Sequence, residues 1–293
     1  MRTIDDQWDI TSSVGATALA VAAGRAVETR RHDGLVDDPL AAAFVEAAGG
    51  DVLPERPWDD EDWQLQSTYL GVRSRFFDEA LLAAADTGVR QVVLLAAGLD
   101  VRGLRLDWPG GTTVYEVDQP QVLDFKDRVV AEQGWGAEPG PDRVPVPVDL
   151  RHDWPGALRA AGFDPSRPTV WLAEGLLPYL PADAETLLFD RVQELSAPSS
   201  RIAVEHFGDA VDAIASDPRF RGMAERLMGT DLRALFFDER RPETPDARLR
   251  RTGWSVGSTQ ARELAEGYRR PLPTEVAAHM GRVELLCADL PDA

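Results

Sequence analysis

The chain has 293 residues with 44% hydrophobic content, enough for one large α/β domain, and its formal net charge is -19 with a sequence pI near 4.6. This acidic balance argues against a nucleic-acid or anionic-membrane surface, because binding to phosphate groups depends on clustered cations. The single cysteine, Cys287, excludes an intrachain disulfide and a thiolate metal cluster, and Lys126 is the only lysine.

The first residues, MRTIDDQWDI, lack the basic and apolar regions of a signal peptide, and no apolar run reaches the roughly 18 residues of a membrane span. We therefore expect a cytoplasmic protein without a membrane segment. Residues 17–31 predict a helix with apolar residues on one face. Residues 37–39, Asp-Asp-Pro, predict the start of a second helix, since Asp caps helices and Pro is tolerated in the first turn. Residues 51–62 predict an acidic loop beside Trp58 and Trp63.

Residues 91–118 predict a strand, a turn of small residues, a helix and a second strand. The run from Val92 to Leu95 is typical of a strand buried on both faces, and the Ala-Ala-Gly turn after it lets the backbone pass close to a ligand. The second strand, residues 113–117, leads to Asp118. Ligands of open α/β sheets bind beyond the carboxyl ends of the strands, where an acid in this position commonly accepts hydrogen bonds from ribose hydroxyls. Asp118 is the candidate for that role.

The turn at residues 96–101 reads AAGLDV and lacks the glycines of the GxGxxG dinucleotide fingerprint. Asp100 also places a negative charge where a pyrophosphate would sit at a helix N-terminus. The turn therefore disfavours a dinucleotide and favours a cofactor with a ribose, no phosphate and a positive centre. S-adenosyl-L-methionine, whose sulfonium carries a methyl group, meets this description.

Two further strands are predicted to end at the same crevice. Residues 144–150, VPVPVDL, predict a strand ending in Asp149 and Leu150, where a carboxylate can accept from the adenine amine while an apolar side chain lies against the ring. A plain strand-end turn is the structural alternative for this pair. Residues 168–173 predict a strand followed by Glu174, which faces the same crevice.

The remaining third of the chain predicts a helix, a lid and the last strands. Residues 187–195 predict the helix, and residues 201–205 predict a fifth strand leading to His206. Residues 253–259 and 283–288 predict the final, antiparallel strands. Residues 209–250 predict inserted helices whose apolar residues form either an acceptor lid or plain core; these residues are Phe220, Met223, Leu227, Met228, Leu235, Phe236 and Phe237.

Six segments occur in order between residues 17 and 205: DGLVDDPLAAAFV, YLGVRSRFFDEAL, VVLLAAGLDVRGLRL, VYEVDQPQVLDFK, VPVDLRHDWPGAL and VWLAEGLLPYLP. This combination resembles the leucine carboxyl methyltransferase-like family of S-adenosylmethionine-dependent methyltransferases. It is most similar to the actinobacterial branch, which includes O-methyltransferases of polyketides and other natural products. The resemblance implies the α/β class I methyltransferase (Rossmann-like) fold, a mostly parallel seven-stranded sheet with helices on both faces and a helical cap or lid.

The resemblance also implies roles for individual residues. Arg73, in YLGVRSR, pairs with the carboxylate of the methionine moiety, a role that suits the fixed fork of donors of a guanidinium. Arg75 is the alternative partner, and Arg25 is an additional anchor for the same end. The other implied cofactor-binding residues are Ala96, Gly98, Asp118 for ribose, Asp149 and Leu150 for adenine, and Glu174 near the methionine end.

Two of the matched positions need comment. Ala96 stands where the family usually has glycine, and its methyl group is expected to weaken or shift the cofactor without excluding it. Tyr179 matches an aromatic residue close to the transfer site, with a half-buried core tyrosine as the structural alternative.

The sequence thus predicts an S-adenosylmethionine-dependent O-methyltransferase acting on a carboxylate or hydroxyl oxygen of a small molecule, such as a polyketide or another secondary metabolite. Methyl transfer chiefly needs alignment in a dry pocket. A carboxylate acceptor requires no base, whereas a hydroxyl acceptor would use one, and His206 is the candidate. No spacing among the four histidines predicts a metal site.

Two alternatives remain at this stage. One is an NAD(P)-dependent oxidoreductase, disfavoured by the missing glycines and by the lack of a Tyr-x-x-x-Lys pair, since Val122 precedes Lys126. The other is a catalytically inactive methyltransferase fold, which only Ala96 favours. The predicted organisation is a single domain with an N-terminal helical cap (1–85), a cofactor-binding core (86–208), a helical lid (209–250) and C-terminal strands (251–293).

Overall fold

The computed structural model describes residues 14–49, 56–136, 140–218 and 241–292, together with positions 221, 222, 225, 233 and 235–237. The chain start, part of the predicted loop at 51–62, and the predicted lid residues Phe220, Met223, Leu227 and Met228 lie outside the described residues. Within those ranges, no helix has both the length and the apolarity needed to cross a membrane.

A seven-stranded sheet forms the centre of the molecule, with the strand order β3-β2-β1-β4-β5-β7-β6. Strand β7 pairs antiparallel with both β5 and β6, and the other pairs are parallel. The mostly parallel sheet is as predicted, but β6 lies beyond β7 and so runs in the direction of β5. The strands are β1 (Gln91–Leu95), β2 (Thr113–Asp118), β3 (Asp142–Pro147), β4 (Thr169–Ala173), β5 (Arg201–His206), β6 (Ser255–Gln260) and β7 (Glu284–Asp289).

The composition of the strands matches their places in the sheet. The central strands β1 and β4, QVVLL and TVWLA, are buried at every position, as expected where helices cover both faces. Strand β3 stands at one edge and contains Pro145 and Pro147, which cannot donate to a sheet ladder and are therefore confined to edges.

Helices cover both faces of the sheet. The longest, α3, begins after Asp60, whose side chain accepts hydrogen bonds from the backbone N–H groups of Asp62 and Trp63. The described helices are α1 (Val14–Arg30), α2 (Ala41–Ala48), α3 (Glu61–Asp86), α4 (Arg102–Arg105), α5 (Pro120–Glu132), α6 (Trp154–Ala160), α7 (Ala182–Glu194), α8 (Ala210–Ser216), α9 (Pro245–Arg251), α10 (Ala261–Gly267) and α11 (Thr274–Ala277).

Apolar clusters form on the two faces of the sheet. On one face, Phe77 and Leu81 of α3 pack with residues of β1 and β4 such as Leu94 and Leu172. On the other face, side chains of α6 and α7 pack around Trp171. Helix α3 is therefore a layer of the main core as well as part of the region that the sequence prediction placed in a cap. A third cluster joins α1, α2 and α5.

Candidate cofactor and acceptor site

The sheet order reverses between β1 and β4, so their connections leave in opposite directions and open a crevice at the carboxyl ends of the strands. A cavity of about 510 Å³ occupies this crevice, a size common among small-molecule sites. Its walls come from α1, α3 and the segments after β1 to β5. Eight predicted site residues line it: Arg73, Ala96, Gly98, Asp118, Asp149, Leu150, Glu174 and Tyr179.

The turn after β1 has two residues in the left-handed region, Ala96 with φ 54° and Gly98 with φ 51°. Glycine adopts this conformation freely, whereas a residue with a Cβ pays about 1–2 kcal/mol. Ala96 therefore takes the backbone geometry for which the family usually employs glycine. A Cβ on Gly98 would lie 3.4 Å from the Cβ of Ala18 in α1, so the turn also packs closely against the N-terminal helix.

Asp118, at the end of β2, is fixed by the backbone on both sides. Its Oδ2 accepts from the Gly98 N–H at 2.6 Å and its Oδ1 from the Gln119 N–H at 2.6 Å. Burial raises the pKa of Asp118 to about 6, although these two donors lower it. The carboxylate thus presents its remaining lone pairs to the cavity in one orientation.

Asp149 lies at the neighbouring end of β3 and is held by two polar side chains. The Arg151 Nη2 donates to its Oδ2 at 2.6 Å, and the Gln119 Nε2 donates to the same oxygen at 3.0 Å. Burial opposes ionisation, but the hydrogen bonds from Arg151 outweigh it and hold the pKa of Asp149 below its ordinary value. Leu150 stands next to this carboxylate on the cavity wall.

Arg73 projects from α3 into a group of acids. Its Nε lies 2.7 Å from Glu174 Oε1, and its Nη1 lies 3.2 Å from both carboxylate oxygens of Glu205. Burial disfavours the charged guanidinium, but these two carboxylates raise the pKa of Arg73. The alternative anchor, Arg75, is outside the cavity: it pairs with Glu79 at 2.8 Å and stacks over the ring of Tyr268.

Glu174 is shared between two arginines. Besides Arg73, the Arg102 Nη1 lies 2.5 Å from Glu174 Oε2, and Arg102 also pairs with Asp78 and Asp100. Burial raises the pKa of Glu174, but the two guanidinium groups reverse this and leave it lowered. An ionised Glu174 is therefore stable at the cavity wall.

Two buried cations hold the turn at residues 98–100. The Arg25 Nη2 donates to the Leu99 carbonyl at 2.7 Å, while its Nε pairs with Asp38 at 2.7 Å. Lys126, fully buried, donates to the Asp100 carbonyl and pairs with Glu116 at 2.8 Å. Arg25 lines the cavity as expected, but its hydrogen bond to the Leu99 carbonyl and its ion pair with Asp38 are used to support the turn. Asp38 also accepts from the Leu40 N–H at 3.2 Å, and α2 begins at Ala41, directly after the predicted start at residues 37–39.

The half of the cavity over β4 and β5 is apolar. Tyr179 lies in a short 3-10 turn and packs against Phe236, with ring centroids 5.4 Å apart. No histidine, cysteine or lysine of the chain is among the residues that line the described cavity. The apolar wall is formed by Leu70, Leu176, Phe207, Ile214, Phe236 and Met280.

The structure does not bring His206, the predicted base, to the wall of the described cavity. Successive strand residues point to opposite faces, and Glu205 points toward Arg73, so His206 points away from it. Its electrostatic neighbours are Asp246 and Arg241, and burial lowers its pKa. His206 is not among the residues lining the cavity.

Sequence reasoning missed four polar residues of the site. Gln119 and Arg151 each follow a predicted strand-end acid within two residues, and Glu205 ends a predicted strand, so the rule that selected Asp118 could have selected them. Arg102 carried no such signal, because its role depends on helix α4 turning back over α3.

The chain is similar to several known proteins that are named as methyltransferases. A protein of Rhodococcus jostii (strain RHA1), provisionally named an S-adenosyl-L-methionine-dependent methyltransferase, is 50% identical over 278 residues and 93% of each chain is covered. A similarly named protein of Mycobacterium avium (strain 104) is 47% identical over 300 residues, covering 94% of each chain. A crystal structure from Thermobifida fusca YX, titled as a methyltransferase, shares the fold with a TM-score of 0.54 at 16% identity, covering 94% of each chain.

The fold and the site define an S-adenosylmethionine-dependent methyltransferase of class I. The family model of leucine carboxyl methyltransferase matches residues 18–193, and the chain belongs to that family. The cavity residues fit the cofactor, since acids end β2 and β3 and a buried arginine faces the crevice. Arg73 Nε and Glu174 Oε1 are also buried without a well-formed hydrogen bond, although they lie 2.7 Å apart. The methyltransferase class replaces the oxidoreductase alternative.

Proposed function

We propose that the protein transfers a methyl group from S-adenosyl-L-methionine to a carboxylate oxygen of a small molecule with an apolar body. The proposal rests on an apolar chamber whose described lining residues include no histidine, cysteine or lysine. A carboxylate is ionised near neutral pH and needs no base, whereas a hydroxyl of ordinary pKa would need one. An apolar secondary metabolite with a free carboxylate, such as a polyketide acid, suits such a chamber.

The acids that line the cavity are already engaged by this chain's own donors. Asp118 accepts from two backbone N–H groups, Asp149 from Arg151, and Glu174 contacts two arginines. These carboxylates are therefore better suited to holding a ligand than to removing a proton. His206, the predicted base, lies outside the chamber.

In the proposed site, Asp118 would accept from the ribose hydroxyls, Asp149 from the adenine amine, and Leu150 would lie against the adenine ring. Arg73 and Glu174 would take the charged methionine end. The bound cofactor supplies a methyl group on a sulfonium centre. The chain contributes alignment and exclusion of water, and alignment of this kind can supply roughly 7–11 kcal/mol of a barrier. The aromatic ring of Tyr179 would form the wall at which the two ligands meet.

The test uses cofactor with a radiolabelled methyl group and matched acceptors, for example 4-phenylbutyric acid and 4-phenylbutanol, within a panel of apolar acid and alcohol pairs. Methyl esters release methanol in alkali, whereas methyl ethers do not. We expect alkali-labile label from the acids and none from the alcohols. Alkali-stable label from the alcohols would reject the carboxylate proposal.

The same experiment tests the alternative of a catalytically inactive methyltransferase fold. That alternative rests on Ala96, which has a positive φ in the turn after β1. Calorimetry of S-adenosylhomocysteine binding accompanies the assay, with wild-type protein and Asp118→Ala. Binding that Asp118→Ala weakens, together with transfer to an acid, supports the enzyme. Failure of the folded wild type to bind would reject the proposed site.

A further inference from the structure

Behind Arg73 stands a buried carboxylate, Glu205, that does not line the cavity. Tyr69 and Arg73 are four residues apart on α3 and so lie on one face of the helix. Both contact Glu205, at the end of β5: the Tyr69 hydroxyl donates to Oε1, and the Arg73 Nη1 lies 3.2 Å from Oε1 and Oε2. The Glu205 side chain is fully buried and does not line the cavity.

Both oxygens of Glu205 are occupied by this chain. Oε1 accepts from Tyr69, Oε2 accepts from the Gly175 N–H at 2.6 Å, and Arg73 spans the two. Gly175 has φ 61°, a conformation that favours glycine and turns its N–H toward this carboxylate. Three donors from two separate segments, α3 and the turn after β4, therefore fix Glu205, which in turn fixes the guanidinium of Arg73.

The other carboxylate on Arg73 has a different setting. Glu174 lines the cavity, and its contact with the Arg73 Nε is short but poorly oriented for a hydrogen bond. Glu174 is held independently by Arg102, so it would remain in place if its contact with Arg73 opened. Arg73 thus has one firm partner away from the cavity and one exchangeable partner on its wall.

We propose that Glu205 and Tyr69 are positioning residues that hold Arg73 in place while a zwitterionic amino-acid group enters between Arg73 and Glu174. This inference rests on the proposed roles of Arg73 and Glu174. The ligand's carboxylate takes the donors of Arg73, and its ammonium takes the oxygen of Glu174 that Arg73 releases. One internal ion pair is exchanged for two with the ligand, and the pair between Arg73 and Glu205 persists throughout.

Two ligands separate this role from general support of the fold. S-adenosylhomocysteine carries the amino-acid group, whereas 5′-methylthioadenosine keeps the adenosine and the thioether sulfur but lacks that group. Dissociation constants for both are measured by calorimetry with wild type, Glu205→Gln and Tyr69→Phe. Glu28→Gln is the control, because Glu28 is an equally buried carboxylate paired with an arginine, Arg270, outside the cavity.

We expect Glu205→Gln to weaken S-adenosylhomocysteine about 10-fold or more and 5′-methylthioadenosine by less than about 2-fold, since hydrogen bonds to charged groups carry effects of this size. Tyr69→Phe, which preserves shape, is expected to change the ratio of the two constants in the same direction by a smaller factor. Glu28→Gln should leave the ratio unchanged.

Equal losses for both ligands, or no loss for either, would overturn the positioning role. If Glu205→Gln does not fold, as judged by circular dichroism, the ratio measured with Tyr69→Phe decides the matter. Failure of wild type to bind either ligand would instead reject the proposed site itself. A wild type that binds both ligands with a ratio unchanged in the variants would reject only this inference.

Discussion

Two of the buried clusters of arginine and carboxylate in the described part of the chain differ in where they face. In the first, Arg270 makes two contacts with Glu28, of 2.5 and 2.7 Å, and so joins α1 to the segment after α10. In the second, Arg73 is shared between Glu174 and Glu205 at the wall of the cavity. In the first cluster, two nitrogens of Arg270 donate to the two carboxylate oxygens of Glu28. In the second, Arg73 Nε and Glu174 Oε1 have no well-formed hydrogen bond.

Burial and ion pairing therefore do not by themselves identify a functional arginine. Helix α3 has a glycine where it passes the first cluster, and a Cβ on Gly71 would lie only 2.3 Å from Glu28 Oε2. In a bidentate pair the guanidinium and the carboxylate satisfy each other, so a ligand would gain little by binding to either group. An arginine with two carboxylates, one of them on a cavity wall, can exchange a partner. Cavity access and incomplete bonding are therefore the features that mark Arg73.

The largest effect is expected from breaking the first cluster. Glu28→Ala leaves the buried guanidinium of Arg270 without its partner, which should lower the free energy of unfolding by about 3–5 kcal/mol. Urea unfolding measures this loss, and the fraction that remains folded should bind S-adenosylhomocysteine with nearly normal affinity. Glu79→Ala, which breaks the exposed pair with Arg75 and the exposed hydrogen bond from the Tyr268 hydroxyl, is the control and should cost about 1 kcal/mol.

Arg73 and Arg75 allow a matched test on one helix. Arg73→Gln should weaken S-adenosylhomocysteine about 100-fold, because a charge-assisted, buried contact with the ligand carboxylate is lost. Arg75→Gln, on the outer face, should change the affinity by less than about 2-fold. Calorimetry at one pH and salt concentration compares them, and equal losses would contradict the assignment of Arg73 as the anchor.

The pH dependence of binding tests Asp118. In the proposed site the ribose hydroxyls donate to the ionised carboxylate, and burial raises the pKa of Asp118 to about 6. Affinity should therefore be nearly constant above pH 7 and fall as the pH drops through 6, reaching about 10-fold weaker binding near pH 5. Asp118→Asn should bind weakly at pH 7.5 and show a flat profile between pH 5 and 8.

Asp149→Asn serves as the control for that profile. The pKa of Asp149 is lowered, despite burial, by the hydrogen bonds from Arg151, so this group does not titrate between pH 5 and 8. The variant should bind more weakly than wild type but keep the decline below pH 6. A profile that Asp118→Asn leaves unchanged would show that another group causes the decline.

The smallest effect is expected at the turn. Ala96→Gly removes a strain of about 1–2 kcal/mol but raises the entropy of the unfolded chain at a cost of about 0.5–1 kcal/mol, so stability should rise by up to about 1.5 kcal/mol. Differential scanning calorimetry should show a melting temperature higher by about 2 °C. Arg269→Gly, at another left-handed residue outside the cavity, should stabilise similarly without changing cofactor affinity. A lower melting temperature for Ala96→Gly would contradict the strain argument.

Much of the proposed cofactor half of the site could be predicted from the sequence. The ends of the strands can be identified from the residue pattern, and parallel strands bring their carboxyl ends to one edge of the sheet. Asp118, Asp149 and Glu174 all lie on the cavity for this reason. The choice between Arg73 and Arg75 required knowledge of which face of α3 meets the cavity. A step of two residues along a helix rotates the side-chain direction by about 200°. The family resemblance favoured Arg73, and α3 presents that residue to the cavity.

The position of His206 away from the described cavity has a physical cause. Strand β5 is apolar on both faces, so its sequence contains no alternation that would show which of its last two residues faces the crevice. A shift of one residue reverses the answer, and Glu205, not His206, points toward Arg73. The network around Arg102 was also beyond sequence reasoning, because its partners Asp78, Asp100 and Glu174 come from three segments.

Lys126 gives the molecule an unusual chemical property. It is the only lysine in the chain, and its amine is fully buried between the Asp100 carbonyl and Glu116, beneath the turn that lines the cavity. In the folded protein an amine-selective reagent can therefore reach no lysine side chain. The rate of acylation at this position would therefore report the rate at which the cofactor half of the molecule opens. Mass spectrometry of one peptide would measure it.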